Sequence, residues 1–145
     1  MFRRILVPVD GSAHSRQALE VAVTEFEDAE IIVFHAIDLY DVASVTESAV
    51  WDDEFRERQE TAARALLEEY HDFAAERGVE VRTELARGDP AQAIVVAADE
   101  FDADHIVMGS RGRRGVARVL LGSVAEAVTK RAPISVTVVR PGDEQ

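Results

Sequence analysis

Between Met108 and Ser123 the chain reads MGSRGRRGVARVLLGS, with glycines at 109, 112, 115 and 122 and arginines at 111, 113, 114 and 118. Glycine lets a backbone turn sharply or approach another group closely, and the free N–H groups at the start of a helix attract anions. Gly109 can turn the chain off a strand, Gly112 can approach a ligand, and Gly122-Ser123 can open a helix with bare N–H groups. Together with arginine these are the parts of a phosphate cradle. The positive charge is local. His105 to Arg131 carries six basic residues against Glu126 alone, a segment of +5 within a chain of net charge -12. Nucleic acid and anionic membranes are attracted by basic surfaces, so neither is an expected partner, whereas one bound anion is.

The spacing matches neither G-x-G-x-x-G nor G-x-x-x-x-G-K-[ST], so dinucleotide and P-loop fingerprints are both absent. With no cysteine there is no disulfide, thiolate metal site or thiol catalysis. His14, His35, His71 and His105 show no ligand-like spacing, and Asp52-Asp53 and Glu68-Glu69 fall on the solvent side of a predicted helix. Ser110 and Ser123 have no base in their sequence context, so no catalytic residue is assigned and hydrolysis is expected to be absent or very slow. Plainer roles remain open. Ser123 with Glu126 forms a Ser-x-x-Glu capping pattern, Asp10 can cap a helix or stabilise a turn, and the arginines can be solvated loop charges with one or two reaching phosphates.

The elements that must position these residues follow from hydrophobic period. Strands are predicted at Arg3–Val9, Glu30–Ala36, Glu80–Ala86, His105–Met108 and Ile134–Arg140. Helices are predicted at Ser15–Phe26, with Ala18, Leu19, Val21, Ala22 and Phe26 inward, and at Trp51–Arg77, with Phe55, Ala62, Leu66, Tyr70, Phe73 and Ala74 inward. Gly78 is placed as the left-handed cap of the second. The third opens at Asp89-Pro90-Ala91-Gln92, Asp as N-cap and Pro at the first helical position, and buries Ala91, Ile94, Val95, Ala98 and Phe101; the fourth is Ser123–Arg131. Residues 37–50 read as a long connection. Strands alternating with helices predict an open α/β fold, a parallel sheet with helices on both faces, whose ligands bind at the carboxyl ends of the strands. The 145 residues suit one domain, 1–141, with a free tail at 142–145. The N-terminal apolar run is too short for a signal peptide and no stretch is long enough to span a membrane, which makes a cytoplasmic protein the expectation. One lysine against fifteen arginines, with the acid excess, is a composition associated with salt-adapted cytoplasmic proteins.

Gly109, two residues, Gly112, nine residues and Gly122-Ser123 resemble the G-x2-G-x9-G-[ST] signature of the universal stress protein family, and the opening ILVPVDGS and the second-strand ending HAID strengthen the match. The resemblance implies a five-stranded, Rossmann-like sheet in the order 3-2-1-4-5 and the ATP-binding branch of the family. It implies that Pro8, Val9, Asp10 and Ala36 line the adenine and ribose, with Ala36 standing where valine is frequent, so that packing against adenine is looser. Met108, Gly109, Ser110, Arg111 and Gly112, with Gly122, Ser123 and Val124, would then wrap the ribose and phosphates. ATP, or AMP or ADP, with Mg²⁺ is the implied ligand, and Gly109→Ala is expected to be a milder perturbation than Gly122→Val. The same resemblance implies a homodimer paired through Ile134–Arg140 at an edge of the sheet, and a nucleotide-dependent regulatory module acting on a further protein partner; within that strand the alternation of Ile134, Val136 and Val138 with Ser135, Thr137 and Val139 suits helix cover on one face only. A slow ATP hydrolase or nucleotidyl-transfer enzyme, or a dimeric module that binds no nucleotide, are the alternatives.

Overall fold

The computed structural model describes residues 2–38, 53–111 and 121–140. Among them the chain alternates β1 (Arg4–Pro8), α1 (Ala13–Glu25), β2 (Glu30–Ile37), α2 (Asp53–Glu76), β3 (Arg82–Arg87), α3 (Pro90–Glu100), β4 (His105–Gly109), α4 (Ser123–Arg131) and β5 (Ser135–Val139). All four strand pairings are parallel and the order is β3-β2-β1-β4-β5. The open α/β sheet expected from the alternation is therefore present, with β1 and β4 side by side where the winding reverses. Among the described residues no helix is long and apolar enough to cross a membrane. Most of the connection after β2, the loop residues Gly112, Arg113, Arg114, Gly115 and Arg118, and the tail lie outside the described residues.

Two apolar layers hold the sheet. Ile5, Val7, Ile31, Val33 and Val107 point to the layer shared with Ala18, Leu19 and Ala22 of α1 and Leu67, Tyr70 and Ala74 of α2. Their strand neighbours Leu6, Ile32, Phe34, Ile106 and Met108 point to the other, against Ala91, Ile94 and Ala98 of α3 and Ala125 and Val128 of α4. Consecutive strand residues feeding opposite faces explain why β1, β2 and β4 read as continuous apolar runs.

Helix ends show where local chemistry decided the boundary. Asp89 is the N-cap of α3, its carboxylate accepting from Gln92 N–H at 3.0 Å with Pro90 in the first turn. Gly78, at φ +80, ends α2 in a Schellman arrangement, with Gly78 N–H donating to the Ala75 carbonyl and Val79 N–H to that of Ala74. Three expectations are revised. Helix α1 begins two residues before Ser15, because Ser12 is its N-cap and accepts from Ser15 N–H. The buried stripe of α2 runs through Ala63, Leu67, Tyr70 and Ala74, leaving Ala62 exposed and Leu66 and Phe73 partly buried at its side, since several small and apolar residues fit either of two adjacent stripes. The edge strand β5 has partial cover on both faces: Ile134 and Val136 pack toward α3 and α4, Val139 packs toward α1, and the Thr137 hydroxyl lies 2.8 Å from His105 Nε2.

His105 is a core residue. It is buried, its ring stacks on Phe2 with centroids 4.0 Å apart, and burial holds its pKa below the ordinary value, with Asp104 opposing.

Candidate functional site

At the carboxyl end of β1 the chain enters α1 through Asp10-Gly11-Ser12, and that turn is fixed by side chains rather than by secondary structure. The Asp10 carboxylate accepts from Ser12 N–H at 2.9 Å, an Asx turn, so Asp10 braces the turn while Ser12 does the capping. Gly11 takes φ +87, a left-handed conformation suited to glycine, and donates its N–H to the Tyr70 hydroxyl at 3.0 Å. Tyr70 Oη and Ser15 Oγ lie 2.6 Å apart, Ser15 Oγ is 3.1 Å from the Ser12 carbonyl, and Asp10 N–H donates to Ser15 Oγ at 3.3 Å. The chain of donors is consistent if Tyr70 donates to Ser15 and Ser15 to Ser12. Burial raises the Tyr70 pKa, keeping the phenol protonated for that role.

Tyr70 therefore ties the middle of α2 to the β1–α1 turn. Tyr70→Phe should lower unfolding free energy by about 1–3 kcal/mol, because Gly11 N–H and Ser15 Oγ each lose a partner away from bulk water. Urea melts would measure this; a midpoint equal to that of the unaltered protein would show that the hydroxyl network contributes nothing.

The carboxyl end of β4 meets two helices. An ideal Cβ on Gly109 would lie 2.8 Å from the carbonyl carbon, carbonyl oxygen and Cβ of His14, so the first turn of α1 rests directly on this glycine. Ser110 follows, almost fully buried, donating its N–H to the Val139 carbonyl and accepting from Gly122 N–H at 2.7 Å. A Cβ on Gly122 would lie 3.3 Å from Arg111 Cα. Thus the start of α1, the Gly109–Arg111 segment and the start of α4 are packed into one place.

Several sequence expectations change here. Gly109→Ala is no mild change, because the missing Cβ makes room for another backbone. Gly122, not Ser123, is the N-cap of α4, and no side chain caps the helix; Ser123 is its exposed first residue. Gly122 N–H is taken by the Ser110 carbonyl, which leaves the N–H groups of Ser123, Val124 and Ala125 at the head of α4 without an acceptor among the described residues. Ser110 does have an imidazole beside it, with His14 Nδ1 3.4 Å from its Oγ. Buried as it is, the hydroxyl presents no accessible nucleophile. Burial and the nearby Arg111 lower the His14 pKa below its ordinary value, and Asp10 opposes them.

Pro8, Ala36 and Met108 belong to the α3/α4 side of the sheet by strand alternation, and Ala36, half-buried, pairs with Ala86. Val9 stands apart from them. Its side chain is buried in the α1/α2 layer, its N–H donates to the Phe34 carbonyl at 2.8 Å, and its own carbonyl lies 2.7 Å from His35 Nδ1. Gly112 falls outside the described residues. Sequence reading missed Tyr70, Ser15 and His14 as parts of this site; only the polar Ser12-x-x-Ser15 pair on an apolar helix face hinted at them. Far from it, Glu68, His71 and Asp72 bring possible ligand atoms within 4.8 Å of one another on α2, a proximity that i, i+3 and i+4 spacing creates on a helix surface.

The model of the universal stress protein family matches residues 1–140. A universal stress protein of Methanocaldococcus jannaschii is 36% identical over 143 residues, covering 97% of this chain and 83% of the relative. Among solved structures, the hypothetical protein MJ0577, whose biochemical function was assigned from its structure, superposes with a TM-score of 0.85 at 31% identity over 99% of each chain. A universal stress protein in complex with cAMP superposes with a TM-score of 0.69 at 29% identity, covering 95% of this chain and 97% of the other.

Proposed function

Since the chain belongs to the universal stress protein family, we propose that it binds ATP or another adenine nucleotide at the carboxyl ends of β1 and β4, and that occupancy alters its contacts with a protein partner. The observation that carries this reading is the convergence of Asp10, Gly109–Arg111 and Gly122 at the switch point of the sheet, with the N–H groups of Ser123 and Val124 at the head of α4. A related chain solved in complex with cAMP supports an adenine nucleotide as the kind of ligand.

The residues present suit such a ligand. A helix start that carries no side-chain cap leaves its N–H donors and positive dipole end to an anion, and Gly122 adds no Cβ to obstruct it. Arg111 adds a cation close by, and the half-buried Ala36 at the end of β2 offers an apolar surface for adenine. Mg²⁺ would travel with the triphosphate and neutralise part of its charge. The function is one of binding, and the protein is proposed to act as a homodimer paired through β5.

Mass spectrometry of the purified, denatured protein should detect a copurifying adenine nucleotide, or titration with ATP should show saturable binding. Gly122→Val should abolish that binding while leaving far-UV circular dichroism native, because the added methyl groups press on Arg111 Cα, already 3.3 Å from the Cβ position, and shift the segment that wraps the phosphates. Unchanged affinity in a folded Gly122→Val protein would remove the cradle from consideration.

A further inference from the structure

His14 is exposed enough to titrate and is held by contacts that couple it to the candidate phosphate cradle. Its backbone rests on Gly109, its Nδ1 lies 3.4 Å from Ser110 Oγ, and Ser110 in turn accepts from Gly122 N–H at the head of α4. We propose that His14 is the proton-linked member of the nucleotide site, gaining a proton as the ligand's phosphates arrive and so making affinity depend on pH. The inference rests on the nucleotide-binding reading above and goes beyond it in naming the residue that regulates it.

The charges around the imidazole set the direction. Asp10 faces it from the end of β1 and favours the proton; Arg111 faces it from the end of β4 and disfavours it. Arg140 is the next charge along β5, after the Val139 whose carbonyl holds Ser110 N–H, and Arg16 is the next residue but one on α1. From α2 the Tyr70 hydroxyl, kept protonated by burial, joins the same turn through Ser15. Position two of a helix, where the N–H dipoles point outward, disfavours a cation further. In the free protein burial, with Arg111 beside it, outweighs Asp10 and holds the His14 pKa below its ordinary value, so the imidazole gives up its proton more readily than a free one. A polyphosphate beside Arg111 would reverse the balance, because an anion favours the charged imidazole. The complex then holds more protons than the free protein. Affinity must therefore rise as pH falls through the bound-state pKa, and level off below the free-state pKa.

Calorimetric titration with ATP and with adenosine from pH 8.0 to 5.5 would test this. The ATP affinity of the unaltered protein should rise roughly threefold to tenfold more than that of His14→Gln over the range, a difference corresponding to about half to one unit of pKa. Titration of the ligand's own phosphate is common to both proteins and cancels. Adenosine, uncharged, should show no such difference. As a measurement needing no variant, the His14 imidazole followed by NMR should show a higher pKa with ATP than without. Parallel profiles for the two proteins, or an unmoved His14 titration in the ATP-saturated protein, would overturn the proton linkage while leaving nucleotide binding intact. An absence of ATP binding at every pH would overturn both.

Discussion

Replacing Gly109 by alanine should destabilise the protein by about 1–3 kcal/mol and weaken nucleotide binding at the same time, although the change adds one methyl group. The reason is where that methyl must go. It would stand 2.8 Å from three atoms of His14, two of them the backbone carbonyl carbon and oxygen. Backbone cannot swing aside as the tip of a side chain does. Relief requires α1 to lift from β4, and α1 buries Ala18, Leu19 and Ala22 in the layer beneath it. It also carries the Ser12–Ser15–Tyr70 network, so lifting it strains the turn that places Asp10. Denaturant midpoints for the unaltered protein and Gly109→Ala decide the matter. A loss below about 0.5 kcal/mol, with native affinity, would mean that α1 yields without effort and that Gly109 is not the contact on which it rests. Gly122→Ala is the informative contrast: its Cβ would meet Arg111 Cα at 3.3 Å, a contact that a few tenths of an ångström would relieve.

The contrast between these two glycines also shows which features could be read from the chain. Strand and helix order was legible because buried strands read as short unbroken apolar runs, as in Ile31 to Phe34 of β2, while helices carry a wider period, and because Gly78 and the Asp89-Pro90 pair terminate or start helices by local chemistry alone. The place of the candidate site follows from the same local signals, since Asp10 and Gly109 stand at the ends of recognisable strands. What makes those positions work was not legible. Gly109 looks like a turn residue in sequence, whereas its small size is required by His14, 95 positions away on α1. The contact of Ser110 with His14 spans 96 residues and that of Ser15 with Tyr70 spans 55, so each exists only after the sheet has formed. Ser123 resembled an N-cap because Ser-x-x-Glu is a local pattern, yet Gly122 occupies the cap because its N–H is drawn to the Ser110 carbonyl, a tertiary acceptor. Local rules located the elements; long-range packing chose the roles within a residue or two.

Val138→Pro should convert the proposed β5-paired homodimer toward monomer while leaving each protomer folded. In a parallel ladder the N–H and C=O of one residue point to the same side, and successive residues alternate sides. The Val139 carbonyl accepts from Ser110 N–H, so Val139 points toward β4 and Val138 points outward, away from the sheet. A proline at 138 thus removes no bond to β4, and an edge strand tolerates it for that reason. The outward row is what a second copy would use. Two copies of β5 running antiparallel about a two-fold axis would pair these groups with each other and close both edges. The opposite edge, β3, carries Arg82 and Glu84 in an ion pair at 2.7 Å and ends in Arg87, the charged kind of edge that resists pairing, whereas Ser135–Val139 contains no charge at all. The substitution acts on both protomers at once. With about 0.5–1.5 kcal/mol for each lost bond, the dissociation constant should rise by roughly 5-fold to 150-fold, more where the ring also pushes the strands apart. Sedimentation at micromolar concentration should then show a dimer for the unaltered protein and a monomer-shifted distribution for Val138→Pro, with identical far-UV circular dichroism. A monomeric unaltered protein, or equal dimerisation of the two, would mean that β5 pairs with nothing and that its edge is shielded by other means.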